Sequence, residues 1–265
     1  MKIRPKKSLG QNFLIDNNIL KSIVDLGEIN TDDTILEIGP GTGNLTNKLV
    51  DKNPKKIIAV EKDNNLYSIL QKKFKQNKKV NIINKNIMSV DDDQLTNNKM
   101  IIFGNLPYNI STQILVKWIK LKNLDSVCKK MIFMFQKEVA DRIIAPSNTK
   151  DYGRISILSS WRFYSKKIFD IKPESFYPKP KVKSSVIIFK PKKDYFKFKN
   201  VSNLEYITNI FFSQRRKMIK NPLKKLFKNP SLICRKIGID EQLRPQNLSP
   251  EIYYKISKEY ENLTN

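Results

Sequence analysis

The sequence predicts an α/β protein: a mostly parallel sheet with helices on both faces, followed by a small C-terminal helical domain. Three observations predict it. From Thr34 to beyond Lys137, apolar runs of strand length alternate with helical patterns, the order that gives parallel strands joined by crossover helices. A glycine-rich turn joins the first of these runs to the next helix. From Asn203 the chain becomes polar, basic and mostly helical, and too short to hold a large core alone. The expected domains are residues 1–192 and 193–265.

Taken in order, a basic leader, KIRPKKSLGQNFL, precedes a helix from Asp16 to Leu26. Asp16 is suited to cap it, and Ile19, Leu20, Ile23 and Val24 form its apolar stripe. Thr34–Ile38 reads as a strand and 44–51 as a helix. Lys56–Val60 is the next strand, with a helix over 63–74. Val80–Ile83 and Met100–Phe103 are further strands, the second leading into a helix over 111–121. Met131–Phe135 is another, with a helix beginning near Lys137. Ile155–Trp161 reads as a helix rather than a strand. Lys167–Ile171 and Ser185–Phe189 read as strands that can pair antiparallel at the sheet edge, flanking the proline-rich KPESFYPKPK. PKKDYFKFK reads as a linker.

Composition narrows the chemistry. There is no histidine, which excludes imidazole bases, His triads and His-metal sites, and two cysteines are too few for a disulfide scaffold or a cysteine-held zinc. No metal site is expected. No apolar run approaches the ~18 residues of a membrane span, and the basic N-terminus lacks the apolar stretch of a secretory signal. A cytoplasmic protein is expected. The net charge of +25, about twice as dense from Lys181 onward, points to a polyanionic partner.

In ILEIGPGTGNL, Gly39, Gly41 and Gly43 follow a strand and precede a helix, and Glu61 ends the next strand. That arrangement suits a nucleoside cofactor with its ribose hydroxyls on the carboxylate. The spacing is G-x-G-x-G, with Asn44 where a dinucleotide site wants its third glycine, and no G-K-S/T follows for a phosphate loop. S-adenosylmethionine, which carries no phosphate, is the favoured nucleoside.

GNLPYNIS follows the fourth strand, placing Asn105, Leu106, Pro107 and Tyr108 where open α/β sheets bind ligands. An adenine amino group is a poor nucleophile because its lone pair is delocalised into the ring. The Asn105 side-chain oxygen and a backbone carbonyl can each accept one N–H and draw the nitrogen towards a tetrahedral shape. Pro107 stiffens the loop, and Tyr108 can stack on an extruded base. No strong base is required, since the amine can lose its proton after methylation.

With KSLGQNFL, EIGPGTGNL, VEKD, GNLPYNIS, FMFQKEVADRI, YGRISIL, SFYPKPKVKSSV and FFSQRRKMIKN, the chain resembles the small-subunit ribosomal RNA adenine dimethyltransferases from end to end. The resemblance implies a class I methyltransferase, Rossmann-like sheet with a small helical domain. It also implies transfer of two methyl groups to N6 of each of two adjacent adenines, in a loop near the 3′ end of small-subunit rRNA, leaving S-adenosylhomocysteine. Asn12 and Leu14 are then expected to line the cofactor pocket, Gly39 to lie beneath the methionine part and Glu61 to hold the ribose. Asn105 would bridge cofactor and target amine. Phe176 would be the second aromatic against the adenine. Where the family usually has an aspartate contacting the cofactor adenine, this chain has Asn86, whose amide oxygen can still accept that hydrogen bond without charge assistance. Asp91, Asp92 and Asp93 read as a solvated loop.

Lys6 and Lys7 near the cofactor end, and Arg215, Arg216, Lys217 and Lys220, with Lys224 and Lys225, are expected to meet RNA phosphates. The expected partner is small-subunit rRNA within a pre-30S particle, met by a monomer. A large-subunit rRNA or DNA adenine methyltransferase, and a non-catalytic ribosome-assembly factor, are the alternatives.

Overall fold

The protein is described from a computed structural model covering residues 5–6, 10–90 and 99–264, so that Lys7 and Asp91, Asp92 and Asp93 lie outside the described residues. The chain divides into two compact units: residues 1–140 with 164–191, and residues 141–163 with 192–265. A single boundary at 192 was expected. The segment Asp141–Phe163 instead groups with the C-terminal residues.

The first unit holds the sheet. Its strands are β2 (Thr34–Ile38), β3 (Lys56–Glu61), β4 (Val80–Asn84), β5 (Met100–Asn105), β6 (Cys128–Gln136), β7 (Phe163–Ile171) and β9 (Ser184–Pro191), in the order β4-β3-β2-β5-β6-β9-β7. Pairs from β4 to β6 are parallel, and β9 runs antiparallel to β6. The two late strands are neighbours at the edge, as their sequence predicts. β2 and β5 are buried at nearly every position because helices cover both faces of a parallel sheet. Val50, Val80 and Tyr67 pack around Ala59, Leu70, Phe74 and Ile82 on one side; Ile35, Ile101, Phe103 and Met134 belong to the larger core cluster.

Helix α1 (Asn17–Asp25) starts where Asp16 accepts the N–H groups of Asn18 and Ile19, and α3 (Asn64–Lys73) where Asp63 accepts those of Asn65 and Leu66. α2 (Asn44–Val50) follows the glycine turn, and α4 (Ser111–Lys120) follows the GNLPYNI segment. The leader residues Phe13–Leu14 form a short strand, β1, antiparallel to β8 (Phe176–Tyr177) in the proline-rich segment.

The second unit is helical. α5 (Arg154–Arg162) supplies buried Ile157, Leu158 and Trp161, beside Leu204, Ile207 and Phe211 of α6 (Ser202–Ser213) and Tyr253, Tyr254 and Ile256 of α7 (Pro250–Thr264). The segment read as a linker is packed here. Trp161 donates its indole N–H to Phe196 O at 2.7 Å, and its ring meets Tyr195 and Phe198. Tyr195 and Phe198 of PKKDYFKFK are half-buried against Trp161, which residues of a solvated linker are not.

Candidate active site

Strand order reverses beside β2, whose neighbours β3 and β5 are reached by crossovers in opposite directions. At such a switch point the chain ends above the sheet diverge and leave a crevice. Register places Ile38 opposite Gly104, so Gly39 and Asn105 leave the sheet side by side. They and Glu61 line one cleft, together with Asn12, Asn86, Leu106, Pro107 and Tyr108.

Gly39 and Gly41 adopt φ of +70° and +59°, which a side chain would disfavour. A Cβ at Gly39 would meet only Asn105 O, at 3.9 Å, so its backbone faces open cleft; at Gly41 it would strike Phe13 at 2.9 Å. Glu61 is 7% exposed, and its two oxygens accept the N–H groups of Gly41 (3.1 Å) and Asp63 (2.8 Å). Each oxygen keeps a lone pair for a further donor. Burial pushes this carboxyl above its ordinary range, against the pull of those two N–H groups. A buried carboxylate beside the glycine turn, with lone pairs left for further donors, fits the ribose hydroxyls of a nucleoside.

Asn105 donates from Nδ2 to Asn12 O at 2.8 Å. Only an NH₂ can face a carbonyl, so this bond fixes the amide orientation and leaves Oδ1 as an acceptor. Leu106 packs so closely on Gly104 that a Cβ there would lie 2.5 Å from its Cδ2, which explains the glycine in GNLPY. Tyr108 shares a 2.6 Å hydrogen bond with Ser184, and burial raises its hydroxyl above the usual tyrosine range. Asn86 caps the 3-10 turn Ile87–Ser89 by accepting Met88 N–H at 3.1 Å. The oxygen expected to contact an adenine amino group thus has one lone pair committed. Lys117, which sequence reasoning passed over, donates to Ile87 O at 3.0 Å and to Val90 O, and so holds that turn against α4.

Two expected residues lie elsewhere. Leu14 and Phe176 are opposite each other in β1 and β8, buried (4% and 3% exposed) in the large apolar cluster. Leu14 borders a smaller recess beside Gly39 and Asn105, but neither side chain lines the main cleft. Alternation along β8 turns the Phe176 ring inward and Tyr177 outward. The cleft gains Gln11, Phe13, Lys62, Lys85 and Ile114. QNFL was the sequence signal for Gln11 and Phe13, and VEKD for Lys62.

The expected phosphate contacts also divide. Lys6 pairs with Asp63 at 2.8 Å. Arg215 donates to Thr149 O and Gln246 Oε1, both at 3.2 Å, and to Lys150 O, and Lys220 pairs with Glu241 at 2.7 Å. Arg215 therefore serves the helical unit internally, contrary to expectation. Arg216 and Lys217 are exposed and border a concave surface with Asn221 and Lys225. Among the described residues, no helix is long and apolar enough to cross a membrane.

The strand order and a nucleoside cleft at the switch point define a class I methyltransferase that uses S-adenosylmethionine. A dimethyladenosine transferase from Plasmodium falciparum superposes with a TM-score of 0.78 at 25% identity, over 94% of this chain and 98% of that one. The 23S rRNA methyltransferase ErmE shares the fold at a TM-score of 0.69 and 20% identity, over 94% and 99% of the two chains. Residues 3–262 match the ribosomal RNA adenine dimethylase family, and the chain belongs to it. A ribosomal RNA small subunit methyltransferase A of Pelagibacter ubique is 52% identical over 99% of both chains. One from a Wolbachia of Brugia malayi is 39% identical over 94% of this chain and 95% of its own.

Proposed function

We propose that this protein dimethylates N6 of two adjacent adenines in a loop near the 3′ end of small-subunit rRNA, acting as a cytoplasmic monomer on a pre-30S particle. The observation that carries the reading is the position of Asn105 beside Gly39, with its free oxygen at the cleft shared with Glu61.

S-adenosylmethionine, when bound, supplies an electrophilic methyl on a sulfonium and departs as S-adenosylhomocysteine. Glu61 would accept hydrogen bonds from the ribose hydroxyls, the Gly39–Gly41 backbone would admit the methionine part without a Cβ, and Asn86 would border the adenine end. Asn105 Oδ1 and a backbone carbonyl of the loop accept the two N6 hydrogens of the target, so that the nitrogen lone pair is released from the ring and aimed along the transfer line. Tyr108, braced by Ser184, stacks on the extruded base. As N–CH₃ forms, the nitrogen becomes cationic, and it then gives up one hydrogen as a proton to solvent through the Asn105 hydrogen bond. Orientation supplies most of the rate.

Labelled methyl transfer to unmethylated small subunits, with mapping of the modified bases, tests this. Four methyl groups on two neighbouring adenines are expected. Transfer to large subunits or duplex DNA instead would overturn it.

A further inference from the structure

Residues directly opposite each other in an antiparallel pair point to the same side. Leu14 and Phe176 point into the core, so the facing pair Phe13 and Tyr177 points to the other side, and Ile15, two residues beyond Phe13, joins them. Phe13 is 8% exposed and lines the cleft, whereas Ile15 and Tyr177 are 51% and 58% exposed. An apolar face thus continues outward from the cleft wall to an aliphatic and an aromatic side chain in water.

Its electrostatic setting is positive. Lys172, Lys179, Lys181 and Lys183 are exposed in the segment that carries Tyr177, and Glu174, its one acidic residue, is paired with Lys179. An aromatic face among lysines is the combination that holds unpaired nucleic acid, because bases stack on the ring while cations track the phosphates. Charge complementarity and continuity with the cleft favour RNA over a protein partner.

We propose that Tyr177, with Ile15, is a stacking ledge for the unpaired nucleobase that neighbours the target adenine. This rests on the reading of the cleft as the target site. A base held there would keep the strand from restacking while its neighbour occupies the cleft, so the residue acts on RNA binding.

Two measurements test it on the full chain. The first is fluorescence of 2-aminopurine placed beside a single adenine in a short single-stranded RNA, with wild type, Tyr177→Ala and Tyr177→Phe. Quenching is expected with wild type and Tyr177→Phe and lost with Tyr177→Ala. The second is steady-state methyl transfer to unmethylated small subunits, where Tyr177→Ala should raise KM for the subunit by about fivefold or more. Tyr177→Phe, which keeps the ring, should restore most of it, while S-adenosylmethionine affinity reports an intact fold. Equal quenching and equal KM for Tyr177→Ala and wild type would overturn the ledge. If wild type itself transfers no methyl to small subunits, the functional reading fails, and the quenching pattern alone then decides for or against the ledge.

Discussion

In the sheet unit, β2 and β5 are buried along almost their whole length, and the core closes among neighbouring strands and their own crossover helices. The helical unit is assembled differently. Its two longest helices, Ser202–Ser213 and Pro250–Thr264, share their core with Tyr152, Ile157, Leu158 and Trp161 from a segment that precedes the last sheet strands. Positive charge is also used differently from what its density suggests: Arg215 and Lys220 tie the unit together, while Arg216 and Lys217 stand outward. A basic surface is therefore a mixture of structural and ligand-facing cations, and only hydrogen-bond partners separate them.

The sharpest way to break this comparison is at Trp161. Replacing it by alanine removes a fully buried indole and its bond to Phe196 O, and should cost the helical unit about 3–5 kcal/mol. Denaturant unfolding read by a probe in the helical unit checks this. A cost below about 1 kcal/mol would mean that the borrowed segment is not part of that unit's core.

The sheet unit carries its own strain at Glu37, 1% exposed, whose carboxyl is pushed up to about 7 from 4.5, mainly by burial, although Thr46 donates to it at 2.6 Å. A raised value in the folded protein means the group favours folding below pH 4.5, and that this contribution is lost as pH climbs through about 7. Glu37→Gln lacks that dependence. Its stability relative to wild type should rise between pH 4.5 and 7.5 by on the order of 3 kcal/mol at 1.36 kcal/mol per unit. Thermal unfolding across that range, with a constant difference between the two proteins, would contradict a buried, titrating Glu37.

Smaller effects sharpen the division of cations. Arg215→Ala should destabilise the helical unit by about 1 kcal/mol, because the half-buried Thr149 O and Gln246 Oε1 and the exposed Lys150 O lose a charged donor. Arg216→Ala and Lys217→Ala should change stability by less than about 0.5 kcal/mol. Each should instead lower the slope of log affinity against log salt for RNA by about 1. The reverse pattern would return Arg215 to the RNA surface.

Much of this was legible beforehand. The strand from Thr34, the glycine turn, Glu61 and the N-L-P-Y loop each carry a local signal, either an apolar run or a turn chemistry, and the structure gathers them at one switch point. What was not legible depends on distant pairing. A two-residue strand such as β1 has no period to detect, and the inward turn of Phe176 follows from its register with Leu14, 162 positions earlier. The aromatic content of PKKDYFKFK was visible, but its lysines and proline outweighed it until Trp161 supplied the surface it covers. Asn86 was recognised by position, yet its use as a helix cap arises from the turn that follows.

The central claim is that the Asn105 amide, oriented by Asn12 O, prepares the target nitrogen. Single-turnover methyl transfer by Asn105→Ala, at saturating S-adenosylmethionine and unmethylated small subunits, tests it most directly. The account predicts a fall of about 100-fold or more in the rate, as for loss of one preorganised transition-state hydrogen bond, with cofactor affinity changed far less. A variant that transfers methyl at close to the wild-type rate would contradict it.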